Sequence, residues 1–167
     1  ALLNEKELGL TLEDVTIPNK PILGLLRFKN ITKAYFKIVK LSASNESDLD
    51  RGLTLEMQKS LLKQAGVANW SVTLPQESDY LEHTCQIAIP LLTVGHYILF
   101  VGSDPDFSST KNGLGHSSFW VSNIAYITQR KQDGSYEGYT LNRESGGALS
   151  NLSLRMWYET YDQKSRT

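Results

Sequence analysis

The residues with chemistry to offer are few, and they are scattered. Three histidines (His83, His96 and His116), one cysteine (Cys85) and the acidic pair Asp104 and Asp106 of "SDPDFS" exhaust the obvious candidates. A zinc site needs ligands at short, recurrent spacings, and these histidines have none. Alternating carboxylates such as Asp104 and Asp106 can hold calcium. In a proline-containing turn the same residues equally accept hydrogen bonds from nearby backbone amides. Both readings of that loop stay open at this level. Cys85 has no basic neighbour in sequence to stabilise a thiolate, so it reads as a small hydrophobe in a strand rather than a nucleophile. "NGLGHSS" (113–118 with Asn112) lacks the Lys-Ser/Thr pair and following helix of a phosphate loop. No Gly-x-Ser-x-Gly elbow supports a serine triad. Trp70, Trp120 and Trp157 could form a sugar-stacking platform, but their alternating strand positions favour core roles. Asn30, Asn45, Asn69 and Asn151 head Asn-x-Ser/Thr sequons, which matter only in a glycosylating secretory pathway. The expectation is no catalytic residue, no bound cofactor, no metal site, and no enzyme.

The elements that carry these residues are mostly strands. "LGLTLEDVTI" (Leu8–Ile17), "ILGLLRFKN" (Ile22–Asn30) and "KAYFKIVKL" (Lys33–Leu41) alternate or are apolar on both faces. The third places Ala34, Phe36 and Ile38 on one face and Tyr35, Lys37 and Val39 on the other, as expected of a strand covered on one side and partly on the other. After a polar loop, "LSASNESDLDRG" (Leu41–Gly52), the period changes. Leu53, Met57, Leu61, Leu62 and Ala65 recur at helical spacing over Leu53–Gly66, with Thr54 as a cap and Glu56 in the first turn. Strands resume at Asn69–Leu74, His83–Pro90, Gly95–Ser103 and Ser117–Lys131. The last of these is long and changes character near Ser122. "QDG" turns the chain into Tyr136–Arg143, and Leu152, Leu154, Met156 and Tyr158 alternate once more.

The chain has 167 residues with a formal net charge of -1, so no basic stripe exists to bind nucleic acid. Hydrophobic residues at 40% and charged residues at 21% place it among folded rather than disordered chains. No apolar run is long enough for a membrane span. One cysteine cannot form an internal disulfide, so the core must supply stability. The start "ALLNEKELGL" shows no charged-then-apolar signal pattern and fits a piece of a longer protein.

The order of "PNKPILGLLRFKNITKAYFKIVKL", "WSVTLPQESDYLEHTCQIAIPLLTVGHYILFVGSDPDFS", "SSFWVSNIAYI" and "LNRESGGALSNLSLRMW" resembles bacterial alpha-2-macroglobulin-like proteins, most closely the large Bacteroidetes members. The resemblance covers most of the chain but not the helix. It implies an all-β, immunoglobulin/fibronectin-III-like macroglobulin sandwich over 1–121 with the helix inserted near 53–66. Residues 122–167 would then be the first strands of a second sandwich. It also implies a non-catalytic scaffold module of a protease-trapping inhibitor in the periplasm or cell envelope. Its partners would be neighbouring domains of the parent chain and, through the whole protein, proteases. Exposed C-terminal strands carrying Leu152, Leu154 and Met156 would invite self-association. The family's thioester sequence is missing, since Cys85 is followed by Gln86, Ile87 and Ala88. The rival reading is a cell-surface adhesin or carbohydrate-binding sandwich.

Overall fold

The computed structural model describes residues 5–49, 52–75, 79–108 and 113–153. The chain divides into two compact units, Ala1–Asn123 and Ile124–Thr167. Among the described residues of the first unit, period-2 alternation yields eight strands: β1 (Glu7–Thr11), β2 (Val15–Thr16), β3 (Ile22–Lys29), β4 (Lys33–Lys40), β5 (Ala68–Thr73), β6 (His83–Ile89), β7 (Gly95–Gly102) and β8 (Leu114–Val121). Two helices, α1 (Ala43–Leu49) and α2 (Leu55–Lys63), interrupt them between β4 and β5. The strands form a three-stranded sheet in the order β1-β3-β6 and a five-stranded sheet in the order β2-β8-β7-β4-β5. All the pairings are antiparallel except the short parallel one between β2 and β8.

Between the sheets lies the main core. Ile22, Leu26 and Phe28 of β3 and Ile87 and Ile89 of β6 meet Ala34, Phe36, Ile38, Tyr97, Leu99, Val101, Phe119 and Val121 of the larger sheet. A second apolar cluster covers that sheet's outer face. Val39, Leu41, Ile98 and Phe100 are sealed there by Leu61 of α2, with Leu49, Leu53, Met57, Leu62 and Phe107 at the margin. The larger sheet is therefore a middle layer. This is why β7 is buried at every position after Gly95, and why both faces of β4 carry apolar residues.

Three sequence expectations change. The single strand expected over Leu8–Ile17 is two strands. β1 pairs with β3 in one sheet and β2 with β8 in the other, so Leu12–Asp14 carries the chain across. Leu12 lies over Gly24, where a Cβ would come within 2.6 Å of Leu12 Cδ2, so the crossover side chain packs closely on the glycine and would have to shift for any larger residue. The loop expected at Leu41–Gly52 contains α1. Ser42 Oγ accepts from the Asn45 amide, and Asn45 Oδ1 accepts in return from the Ser42 amide, both at 3.4 Å. That is a capping box with asparagine in the third position. The helix expected over Leu53–Gly66 runs only Leu55–Lys63. Thr54 Oγ1 accepts from the Met57 amide at 3.2 Å at its start. At its end Lys37 of β4 donates from Nζ to the Leu62 carbonyl at 2.6 Å, which ties the negative end of the helix to the sheet.

Among the described residues of the second unit, β9 (Ile124–Arg130) and β10 (Tyr136–Asn142) form a hairpin in full antiparallel register. Its turn is set by Gly134 at φ 84 and by Asp133, whose carboxylate accepts from both the Ser135 hydroxyl and amide. Those two bonds hold the Asp133 carboxyl below the ordinary carboxylate range, the hydroxyl contributing most. After β10 the chain turns back through Gly146, and one bridge joins Leu141 to Ala148. The alternation of Leu154, Met156 and Tyr158, like Trp157, lies outside the described residues.

Candidate functional site

The residues singled out for chemistry are each engaged separately. His83 stands on β6 in the smaller sheet, while His96 and His116 stand on β7 and β8 in the larger one. His96 pairs with Trp120 and His116 with Phe100, four positions along the ladder, so the two imidazoles are about 13 Å apart by strand rise. Among the described residues no three His, Cys, Asp or Glu side chains gather where a metal could bind.

His83 Nε2 lies 2.8 Å from Asp79 Oδ1, and its ring tilts against Phe28. Asp79 also accepts from the Leu81 amide at 2.9 Å. The amide bond first, and the imidazole second, lower the Asp79 pKa. This pair fastens the loop to the head of β6. Sequence reasoning missed it, although an Asp four residues before a His at a strand entrance is a legible signal.

On the outer face of the larger sheet His96 is 8% exposed and stacks on Trp120, with ring centroids 4.1 Å apart and planes 11° apart. Glu46 of α1 brings Oε1 to 3.7 Å from His96 Nδ1. The stack thus helps seat the short helix on the sheet. Trp120 itself is 42% exposed, not a core residue as its strand position implied. Trp70 is half-buried and stacks on the core residue Phe36 at 4.9 Å. His116 is exposed but lies against Phe100, and partial desolvation of its ring there pushes its pKa below the ordinary imidazole value.

Asp104 acts as a turn builder. Its Oδ1 accepts from the amides of Asp106 and Ser108 and from the Ser108 hydroxyl, at 3.0 to 3.2 Å. That turn drives Phe107 onto Gly102 and into the outer cluster. Cys85 packs against the main core, and desolvation raises its thiol pKa, which disfavours the reactive thiolate. A small open groove of about 250 Å³ is lined by Glu7, Leu8, Gly9, Arg27 and Glu82. Arg27 lies across Gly9, and its Nη1 reaches Glu82 at 4.0 Å, so the groove's cation is already met by a carboxylate.

The feature most characteristic of the architecture is Tyr97, at the start of β7. Its hydroxyl donates to the Thr93 carbonyl at 3.0 Å, four residues upstream, where the chain enters from the opposite sheet. That is the tyrosine corner of immunoglobulin-like sandwiches.

No protein-family model and no curated protein sequence matches the chain. Among solved structures it is similar to native alpha-2-macroglobulin from Escherichia coli, in a crystal structure spanning domains MG0-NIE-MG1. The TM-score is 0.60 at 12% identity, over 87% of this chain and 48% of that one. It is also similar, at a TM-score of 0.40 and 15% identity over 70% of this chain and 92% of that one, to the CARDB domain of a Pyrococcus furiosus protein in complex with di-metal ions. The chain spans about half the length of the Escherichia coli structure it matches. The fold is accordingly all-β and macroglobulin-like: an immunoglobulin-type sandwich with two helices laid on one sheet.

Proposed function

We propose that the chain is a non-catalytic structural module of a bacterial alpha-2-macroglobulin-like protein, a scaffold for protease trapping in the periplasm or cell envelope. The observation that supports the reading is the macroglobulin-like sandwich itself, with its likeness to the Escherichia coli protein over 87% of the chain. The side chains fit a scaffold role. Asp79, Asp104 and His96 each serve to hold a loop or a helix in place. The affinity to the large Bacteroidetes members rests on the sequence pattern alone. In this reading β9 and β10 are the N-terminal part of a second sandwich, and the module's partners are neighbouring domains of the parent chain.

Incubation with endopeptidases of several classes tests it. A scaffold leaves their activity on small peptide substrates unchanged, because trapping requires the other domains. Stoichiometric inhibition by this chain alone would overturn the reading. In the parent gene, a thioester motif or bait-like segment downstream is expected.

A carbohydrate-binding reading has one observation in its favour, the exposed Trp120 on the outer sheet face. Retention on a glycan array, lost in Trp120→Ala, would replace the scaffold reading with that one.

A further inference from the structure

Strand β5, Ala68–Thr73, closes one end of the larger sheet, and among the described residues no strand pairs with its outer edge. The direction of its backbone groups follows from its bonds to β4. The Leu74 amide donates to the Thr32 carbonyl, so the even-numbered residues of β5 point their amides inward, and Asn69, Ser71 and Thr73 point theirs outward. Natural edges of this length are usually blunted by charge or proline. β5, with the sequence ANWSVT, has neither.

We propose that β5 pairs with β5 of a second copy of this chain, joining two larger sheets into one continuous sheet across a two-fold axis. Only a register that sets outward residues opposite outward residues closes the ladder. Centred on Ser71, it places Ser71 opposite Ser71 and Asn69 opposite Thr73 of the other copy. Trp70 then faces Val72, an aromatic and β-branched pair of the kind that stabilises antiparallel sheets. The outer-face pairs are all neutral, so the symmetry sets no like charges against each other. The inner face supplies the drive. Ala68, Trp70 and Val72 pack on the main core yet stay half-exposed along its rim, where a second copy would cover them. β6, the neighbouring edge of the smaller sheet, lacks that incentive at its C-terminal end, because Ile87 and Ile89 are already 2% and 4% exposed. β1 carries Glu7 at its edge, and β2 is two residues long.

Sedimentation of the full chain across a concentration series tests the proposal, with circular dichroism as the folding control. The wild type is expected to reach twice the 18.7 kDa of the chain at high concentration. Ser71→Lys, which opposes its own copy on the axis while keeping every bond to β4, is expected to weaken that dimer at least tenfold. Ser71→Glu is expected to do the same, and an equimolar mixture of the two to restore it. A wild type that stays monomeric through the millimolar range would overturn the proposal. So would a dimer that both charge variants leave intact, the result expected if association ran through the β9–β10 hairpin instead. The mixing arm reads only folded variants, and Ser71→Pro, which removes an outward amide alone, serves where either charge fails to fold.

Discussion

β7 and β9 are alike in sequence and opposite in fate. "GHYILFVG" is buried from His96 to Gly102, whereas "IAYITQR" is exposed everywhere but at Ala125, with Tyr126 at 74% and Ile127 at 56%. Intrinsic strand preference does not separate them, since both are rich in β-branched and aromatic residues. The layers around them do. β7 sits between β4 and β8, with the smaller sheet on one face and α2 on the other. β9 has one partner strand, and within its own unit no second layer is described. A strand's apolar residues specify a fold only when another layer exists to receive them.

The largest break in that contrast should come from the layer that covers β7. Leu61 is fully buried beneath α2, so Leu61→Asp places an unpaired charge in the outer cluster and should cost about 3 kcal/mol or more in denaturant unfolding. Lys59→Asp, on the exposed side of the same helix, should shift stability by less than about 0.5 kcal/mol. Equal midpoints for the two would mean that α2 does not seal the sheet. Smaller effects sharpen the account. Tyr97→Phe removes the hydroxyl bond to Thr93 and should cost about 1 kcal/mol, as should Thr54→Ala at the cap of α2. By contrast, Ile127→Thr on the hairpin should leave the unfolding midpoint of the first unit unchanged, because the side chain is already largely in water.

The smallest effect concerns pH. Partial desolvation of the exposed His116 ring lowers its pKa in the folded state, so the unfolded chain binds its proton more readily. The resulting stability is complete above the unfolded imidazole value. It is lost as pH falls from there through the lower folded one. His116→Gln should flatten the stability profile in that window, measured as denaturation midpoint against pH. An unchanged slope would exclude the His116 contribution.

Much of this fold was legible. Strict alternation in β5, and the two-faced apolar pattern of β4, follow directly from which faces are covered. The α2 stripe was readable because Met57, Leu61 and Leu62 recur with helical period. What sequence pattern could not give was non-local. Glu13 and Asp14 do not announce that the first strand changes sheets, since the change lies in β1 pairing with β3 and β2 with β8, partners distant in sequence. Helix α1 hides in serine, asparagine and aspartate, residues that favour caps and turns, and is held by Ser42, Asn45 and the Glu46 contact to His96. Trp120 looked like core because alternation does not say which of two outer surfaces a helix will cover. The site residues were legible mainly as lacking recognised motifs. Their roles as loop and helix fasteners, Asp79 with His83 above all, appear only once the strands are in place.

Whether the sandwich is complete without the hairpin is the claim on which the rest depends. Thermal unfolding and hydrogen exchange of the chain shortened to residues 1–123, compared with the full chain, test it directly. The account predicts that the shortened chain unfolds cooperatively at the same temperature, with the amides of β4 and β7 equally protected. A shortened chain that is unfolded, or that loses protection in β7, would show that the hairpin belongs to the sandwich and contradict the division drawn here.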